Sequence, residues 1–213
     1  MPGIAVLLSG SGSNLQALLD AQAAGELAGE VILVVSDRAQ AYGLQRALKA
    51  GIAAAFVPLA APRGPLRQQW EQRLAGVIAS FEPDLIILAG FMRVLSAEFL
   101  ERFPDRVINQ HPALLPADGG DTVTTSSGLV IPALRGAHVV ADALRLGLPV
   151  TGCTIHRVTP RVDDGPILAS AEVPILPDDT VETLHERIKA VERRLIVATV
   201  NQLLRGVANV SCQ

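Results

Sequence analysis

The chain has 213 residues, 49% of them hydrophobic and 18% charged, with 18 glycines and 14 prolines, a globular composition with room for one sizeable core or two small lobes. With 3% aromatics and a formal net charge of −3, it offers no base-stacking surface and no global field for nucleic acid or an anionic membrane, so a substrate phosphate needs a local site. The two cysteines, Cys153 and Cys212, make no disulfide framework or zinc motif, and a reducing cytoplasm is the expected compartment.

No basic leader or long apolar span precedes the first glycine motif. Residues 4–8 are continuously apolar, as in a strand buried on both faces. Ser9-Gly10-Ser11-Gly12-Ser13-Asn14 follows, and then Leu15, Leu18, Leu19 and Ala23 recur at helical spacing. A glycine turn entering a helix leaves backbone N–H groups free for an anion such as phosphate. The third glycine of Gly-x-Gly-x-x-Gly is absent, because position 15 is Leu. Asp37 stands where the ribose-binding acid of a dinucleotide site would be. The turn therefore reads first as a phosphate cradle, with a dinucleotide site and a plain structural turn as alternatives.

Residues 31–35 read as a second buried strand, 41–50 as a helix closed by Gly51, and 52–57 as a third strand. Residues 65–80 read as a helix with Leu66, Trp70, Leu74, Val77 and Ile78 on one face, and 85–88 as a fourth strand. Arg63, Arg67 and Arg73 read from spacing alone as solvated charges. Strands alternating with helices predict an α/β fold, a mostly parallel twisted sheet flanked by helices on both faces. In such sheets ligands bind beyond the C-terminal strand ends. The glycine turn, residues 89–95 and residues 109–111 should gather there, along one edge.

Val107-Ile108-Asn109-Gln110-His111 precedes Pro112, which biases His111 towards an extended backbone. In a strand Asn109 and His111 share a face, about 6.5 Å apart, and Gln110 points away. An amide donor beside a titratable imidazole suits the stabilisation and protonation of an oxyanion. The alternative is a strand end with two polar groups facing water. Residues 117–133 have no helical period; 122–125 and 129–131 suggest a small hairpin around Ser127-Gly128, or a mobile loop. A helix is expected over 136–146, with His138 in its first turn as a ligand contact or an exposed cap.

Residues 151–157 and 167–173 read as strands joined through Val162-Asp163-Asp164-Gly165-Pro166. Carboxylates in such a turn are usually solvated; one buried near His111 would instead couple to the imidazole and move a proton. His156, mid-strand, reads as structural, and Cys153 as core. Residues 180–204 form a long amphipathic helix with an Asp179/Thr180 N-cap, on which Glu192 reads as a solvated carboxylate, and 207–213 form a tail. With no repeat and no long linker, 1–213 reads as a single domain.

Five motifs occur in a familiar order: Ser9-Gly-Ser-Gly-Ser-Asn-Leu-Gln-Ala-Leu, Leu88-Ala-Gly-Phe-Met-Arg-Val-Leu-Ser, Asn109-Gln-His-Pro-Ala-Leu-Leu-Pro, Thr151-Gly-Cys-Thr-Ile-His and Asp163-Asp-Gly-Pro-Ile. The chain resembles the phosphoribosylglycinamide formyltransferase family, from about residue 4 to 200 with the exception of 117–133. The resemblance implies a Rossmann-like formyltransferase fold, with 1–106 as a mononucleotide- and phosphate-binding half and 107–213 as a catalytic and folate-binding half. It implies formyl transfer from 10-formyltetrahydrofolate to the amine of glycinamide ribonucleotide, with small-molecule partners, no metal, and a monomer or homodimer.

By the same resemblance, Gly12, Ser13 and Asn14 cradle the phosphate, and Glu192 lies near the substrate amine. Arg67, Met92, Arg93, Val94 and Leu95 line the folate pocket, and 159–165 hold the pterin. Asn109, His111 and Asp163 match the catalytic trio. Two departures stand out. Gln110 occupies a position that is usually apolar, and 117–133 looks inserted beside the substrate, as a flap, a subunit contact or a disordered excursion. The rival enzyme readings are formyltetrahydrofolate deformylase, which usually adds an N-terminal regulatory domain, and methionyl-tRNA formyltransferase, which adds a C-terminal one. A non-catalytic nucleotide-binding module is the rival from another class.

Overall fold

The apolar runs become the inner strands of one sheet in the computed structural model, which describes residues 1–59, 61 and 63–208. β1 (Gly3–Leu8) is buried at every position and lies between β2 (Glu30–Ser36) and β4 (Leu85–Leu88). β3 (Ala53–Phe56) pairs with β2, and β5 (Val107–His111) with β4, all in parallel. β8 (Val150–Arg157) then runs antiparallel to β5, and β9 (Ile167–Pro174) antiparallel to β8. The order is β3-β2-β1-β4-β5-β8-β9. The mostly parallel, helix-flanked α/β fold expected from the periodicity is the one observed.

Alternate residues of the central strands serve opposite cores, which is why these strands read as unbroken apolar runs. Ile4, Val6, Leu8, Val34 and Ile87 pack against α1 (Ser13–Ala23), α2 (Tyr42–Lys49) and α6 (Val181–Ala208). Ala5, Leu7, Leu33, Val35 and Ile86 pack on the other face against α3 (Pro65–Ala79), through Trp70, Leu74 and Ile78, and against Phe99 of α4 (Ala97–Glu101). Each such large side chain contributes roughly 1.5–3 kcal/mol by leaving water. Among the described residues no helix is long and apolar enough to cross a membrane.

Three local outcomes differ from the pattern, and a fourth decides between alternatives. α4 was not anticipated: its five residues are too few for a period, and the Ser96 Oγ cap on the Phe99 N–H starts it. α5 (Val139–Arg145) starts three residues later than expected, because Gly136 takes a φ of 92°; His138 is exposed at its N-cap position. α6 continues to Ala208 and absorbs the start of the expected tail; the rest of that tail, with Cys212, lies outside the described residues. Residues 117–133 take the hairpin alternative. β6 (Thr122–Thr124) and β7 (Val130–Pro132) pair antiparallel, with Gly128 at a φ of 82° closing the turn. Ser126 at the hairpin tip donates its N–H and its Oγ–H to the Glu172 carboxylate on β9.

The glycine turn after β1 is braced by α2. Gly12 has a φ of 69°, and a Cβ there would lie 2.8 Å from the Gly43 Cα. The Gly43 N–H donates to the Gly10 carbonyl at 3.1 Å. Gly12→Ala should therefore lower stability by about 1–3 kcal/mol, from left-handed strain plus overpacking. The check is the urea midpoint at constant slope; an unchanged midpoint would mean that the turn relaxes freely.

Candidate active site

Strand pairing assembles the first part of the site. Asn109 and His111 project to one face of β5, and the antiparallel register sets His156 of β8 opposite Asn109. The His156 Nδ1 is 2.8 Å from the Arg157 carbonyl, so Nδ1 carries a proton and Nε2 faces the site. The Asn109 Nδ2 lies 3.1 Å from that Nε2 and 3.4 Å from the Asp163 Oδ1. His156 is thus an orienting group for Asn109 as well as a buried strand residue.

Asp163 arrives from the opposite end of the sheet. Because β8 runs antiparallel to β5, the loop after it starts at the N-terminal edge of β5 and folds back over the sheet face. That fold-back needs Gly165, where a Cβ would meet the Arg157 carbonyl oxygen at 2.0 Å. Asp163 itself takes a φ of 49°. Its Oδ2 accepts the Gly136 N–H at 2.8 Å and lies 3.3 Å from the His111 Nδ1. Asp164 instead turns towards Arg161. Of the two carboxylates in the turn, Asp163 is the buried one.

The His111 Nε2 is 2.8 Å from the Leu134 carbonyl, which fixes its proton there and leaves Nδ1 facing Asp163. Burial lowers the His111 pKa below its ordinary 6.5, and the Asp163 charge pulls it back only in part. Burial alone would raise the Asp163 carboxyl, but the His156 imidazole, His111 and the Gly136 N–H together hold it below its usual value. For an ion pair these two directions disagree. Geometry and burial oppose each other at His111: a carbonyl at Nε2 and a carboxylate at Nδ1 fit an imidazolium, while burial disfavours its charge.

Beyond the C-terminal end of β1, α1 follows Gly12 without a side-chain cap, so the Ser13 and Asn14 N–H groups have no partner within the helix. The Arg46 guanidinium reaches the Ser11 carbonyl at 2.9 Å and adds positive charge beside them. The Asn14 Nδ2 donates to Glu192 at 3.3 Å. Glu192 is not the solvated carboxylate that its helix position suggests: it is 4% exposed, and burial raises its pKa.

The strip at 92–95 is held from beneath. Buried Asp37 accepts from the Ser9 Oγ and from the Arg93 Nε, both at 2.6 Å, and the Ser9 Oγ accepts the Met92 N–H at 3.0 Å. Asp37 is thereby spent inside the protein, which removes the acid that the dinucleotide alternative required. Arg67 is not solvated either: it bonds the Val94 carbonyl and Glu71 and lies over Trp70. Met92 and Val94 are half-exposed, whereas the Leu95 side chain is in the core, so that residue can meet a ligand only through its backbone. The Cys153 thiol is buried and pushed up to about 12, as a core cysteine should be. Among the described residues no cluster of ligating side chains could hold a metal ion.

Single-residue reasoning missed His156, Leu134, Gly136 and Arg46. Register across β5 and β8 would have found the first. The others act through backbone groups or through a helix-to-turn contact that leaves no period in the sequence.

Residues 3–200 of the chain match a family model described as formyl transferase. The chain belongs to the formyl transferase family. It is 44% identical to the phosphoribosylglycinamide formyltransferase of Mycobacterium tuberculosis (strain ATCC 25618 / H37Rv), over 94% of this chain and 84% of that one. It is 34% identical to the enzyme of that name from Escherichia coli (strain K12), over 95% and 87%. The solved glycinamide ribonucleotide transformylase 1 from Symbiobacterium toebii superposes with a TM-score of 0.85 at 42% identity, covering 97% of this chain and 89% of that one.

The histidine shift has a measurable sign. A histidine whose folded pKa lies below its unfolded value of 6.5 stabilises the fold fully above pH 6.5 and loses that contribution as pH falls. In an NMR titration of the free protein His111 should titrate below 6.5, and lower still in Asp163→Asn. A midpoint above 6.5 would mean that the carboxylate outweighs burial.

Proposed function

We propose that the protein transfers the formyl group of 10-formyltetrahydrofolate to the amine of glycinamide ribonucleotide, a step of de novo purine synthesis. The observation that carries this reading is the meeting of Asn109, His111 and Asp163, drawn from two separate segments onto one sheet face. The co-substrate supplies an activated formyl carbon, and attack by the amine makes a tetrahedral oxyanion. The Asn109 amide donates to that oxygen in place of its long 3.4 Å contact with Asp163. His111, protonated at Nδ1 as charge develops, brings a cation to the same oxygen. The proton that the amine loses passes through the Asp163 carboxylate to the His111 Nδ1. The oxyanion then collapses, the bond from the formyl carbon to the folate N10 breaks, and that proton goes to N10, releasing tetrahydrofolate and the formylated amine. No covalent nucleophile is required.

Gly12, Ser13 and Asn14 bind the ribonucleotide phosphate through the α1 N-terminus, assisted by Arg46, and Glu192 meets the amine side of the substrate. Met92 and Val94 line the folate pocket, while Arg67, Arg93 and the Leu95 side chain hold that strip in shape. The halves 1–106 and 107–213 divide the work as mononucleotide side and folate side. The 117–133 segment is an insertion whose hairpin fixes the following residues over His111 and Asp163. The protein works in the cytoplasm as a monomer or homodimer.

Purified protein should consume 10-formyltetrahydrofolate only when glycinamide ribonucleotide is present. Turnover without it would indicate a deformylase, and binding of both without turnover a non-catalytic module. His111→Ala and Asp163→Asn should each lower kcat by about 10²–10³-fold, roughly 3–4 kcal/mol of transition-state stabilisation, with ribonucleotide binding retained. Near-normal rates in both would refute the trio.

A further inference from the structure

Gln110 stands between Asn109 and His111 but belongs to the other face of the sheet. Its neighbours in parity, Ile108 on β5 and Ile155 across the β8 pairing, lie in the core under α1 and α6. The residue is 6% exposed, and neither its Nε2 nor its Oε1 makes a hydrogen bond. A buried carboxamide left unpaired at both ends is costly, and an apolar side chain of the same size would avoid that cost.

What lies beside it explains the amide. The Glu192 carboxyl is close enough to Gln110 to feel it as a donor, although the two make no hydrogen bond of normal geometry. Glu192 also takes the Asn14 Nδ2, and the other end of that amide, Asn14 Oδ1, is again buried and unpaired. Among the described residues, the buried unpaired side-chain atoms are these three, and all belong to the two amides that flank Glu192. Gln110 Nε2 carries two N–H donors, and the cluster holds two acceptors for them: the Glu192 carboxylate and Asn14 Oδ1. Gln110 on β5 and Asn14 on α1 thus reach Glu192 on α6 from two sides. A leucine or isoleucine at position 110 would offer neither donor.

We infer that Gln110 is a positioning residue for ribonucleotide recognition, holding the Glu192 carboxylate and the Asn14 amide in the arrangement that receives the substrate. The inference rests on the formyl-transfer reading and adds to it a residue that acts through Glu192 and touches no reacting atom. One strand then sets both halves of the site: its odd positions, 109 and 111, face the chemistry, and position 110 reaches under the phosphate turn.

The charge state of Glu192 provides a readout that a packing role would not move. Burial raises its pKa; the Asn14 donor, Lys189, the Gln110 amide and Arg193 lower it. The remaining titratable group facing it is the Cys153 thiol of β8, which stays neutral. Removing the Gln110 donor therefore pushes the Glu192 pKa higher, and the acid limb of kcat/KM for the ribonucleotide moves to higher pH.

The test compares wild type with Gln110→Leu and Gln110→Met, the second keeping an unbranched chain in case leucine does not pack. Both variants should fold, since each puts an apolar chain of similar size at a buried strand position. KM for glycinamide ribonucleotide should rise about tenfold or more, the effect of losing a hydrogen bond to a charged group, with kcat changed less than threefold. KM for 10-formyltetrahydrofolate should not change, and the acid limb should shift upwards. Gln110→Glu, which sets a second carboxylate beside the first, should shift the limb furthest. Unchanged ribonucleotide KM and an unmoved limb in whichever variant folds would overturn the inference while the formyl-transfer reading stands. Folded wild type that does not formylate the ribonucleotide would overturn both.

Discussion

A carboxylate taken out of water has to be met by donors, and the site is built around meeting Asp163. Its two oxygens face the Gly136 N–H, the Asn109 amide, the His111 ring and, at 3.8 Å, the His156 ring. These partners come from β5, from β8 and from the stretch just before α5. Removing any one of them leaves part of a buried charge unanswered, which costs far more than the lost contact is worth. The left-handed backbone at Asp163 and the glycine at 165 follow from the same demand, because only that fold-back aims the carboxylate inwards.

The same electrostatics explain why the free site is poised. His111 donates through Nε2 to a carbonyl and presents Nδ1 to a carboxylate, which is the geometry of an imidazolium. Burial nevertheless weakens the ring's hold on its second proton. A negative charge growing nearby tips that balance, since it favours the protonated ring just when the transition state needs it. A permanently charged histidine would also favour the oxyanion over the neutral carbonyl, but its buried charge would weigh on the free site throughout. A titrating one strengthens its interaction as the charge appears, and only such differential interactions accelerate the chemistry.

Much of this was legible in the sequence. Strand parity set Asn109 and His111 on one face and Gln110 on the other, and unbroken apolar runs announced a sheet covered on both sides. The hairpin at 122–132 was foreshadowed by Ser127-Gly128 between two short β-prone runs. Periodicity carries no information about pairing partners, however. Asp37 looked like a ribose ligand and is bonded to Ser9 and Arg93, which are 28 and 56 residues away from it. Arg67 looked solvated and caps the Val94 carbonyl. Glu192 looked solvated until α6 was laid across α1. The family resemblance named Asp163 and Glu192, but the groups that make their burial tolerable are backbone atoms and a strand neighbour, which no motif records.

The 117–133 segment shows how such a site tolerates a long excursion. Closing a longer loop costs little more entropy than closing a short one, provided its ends are held. Here both ends are held by one side chain. Arg135 donates to the Gly119 and Gly120 carbonyls at the start of the excursion and to the Asp163 carbonyl in the catalytic loop. The hairpin tip is tied separately to Glu172 on the edge strand β9. Leu134 and Gly136, the two residues that touch His111 and Asp163, flank the arginine that makes this clamp. Leu134, Arg135 and Gly136, at the exit of the excursion, are the residues through which it reaches His111 and the 163 loop. The hairpin beyond them is held at its base by Arg135 and at its tip by Glu172.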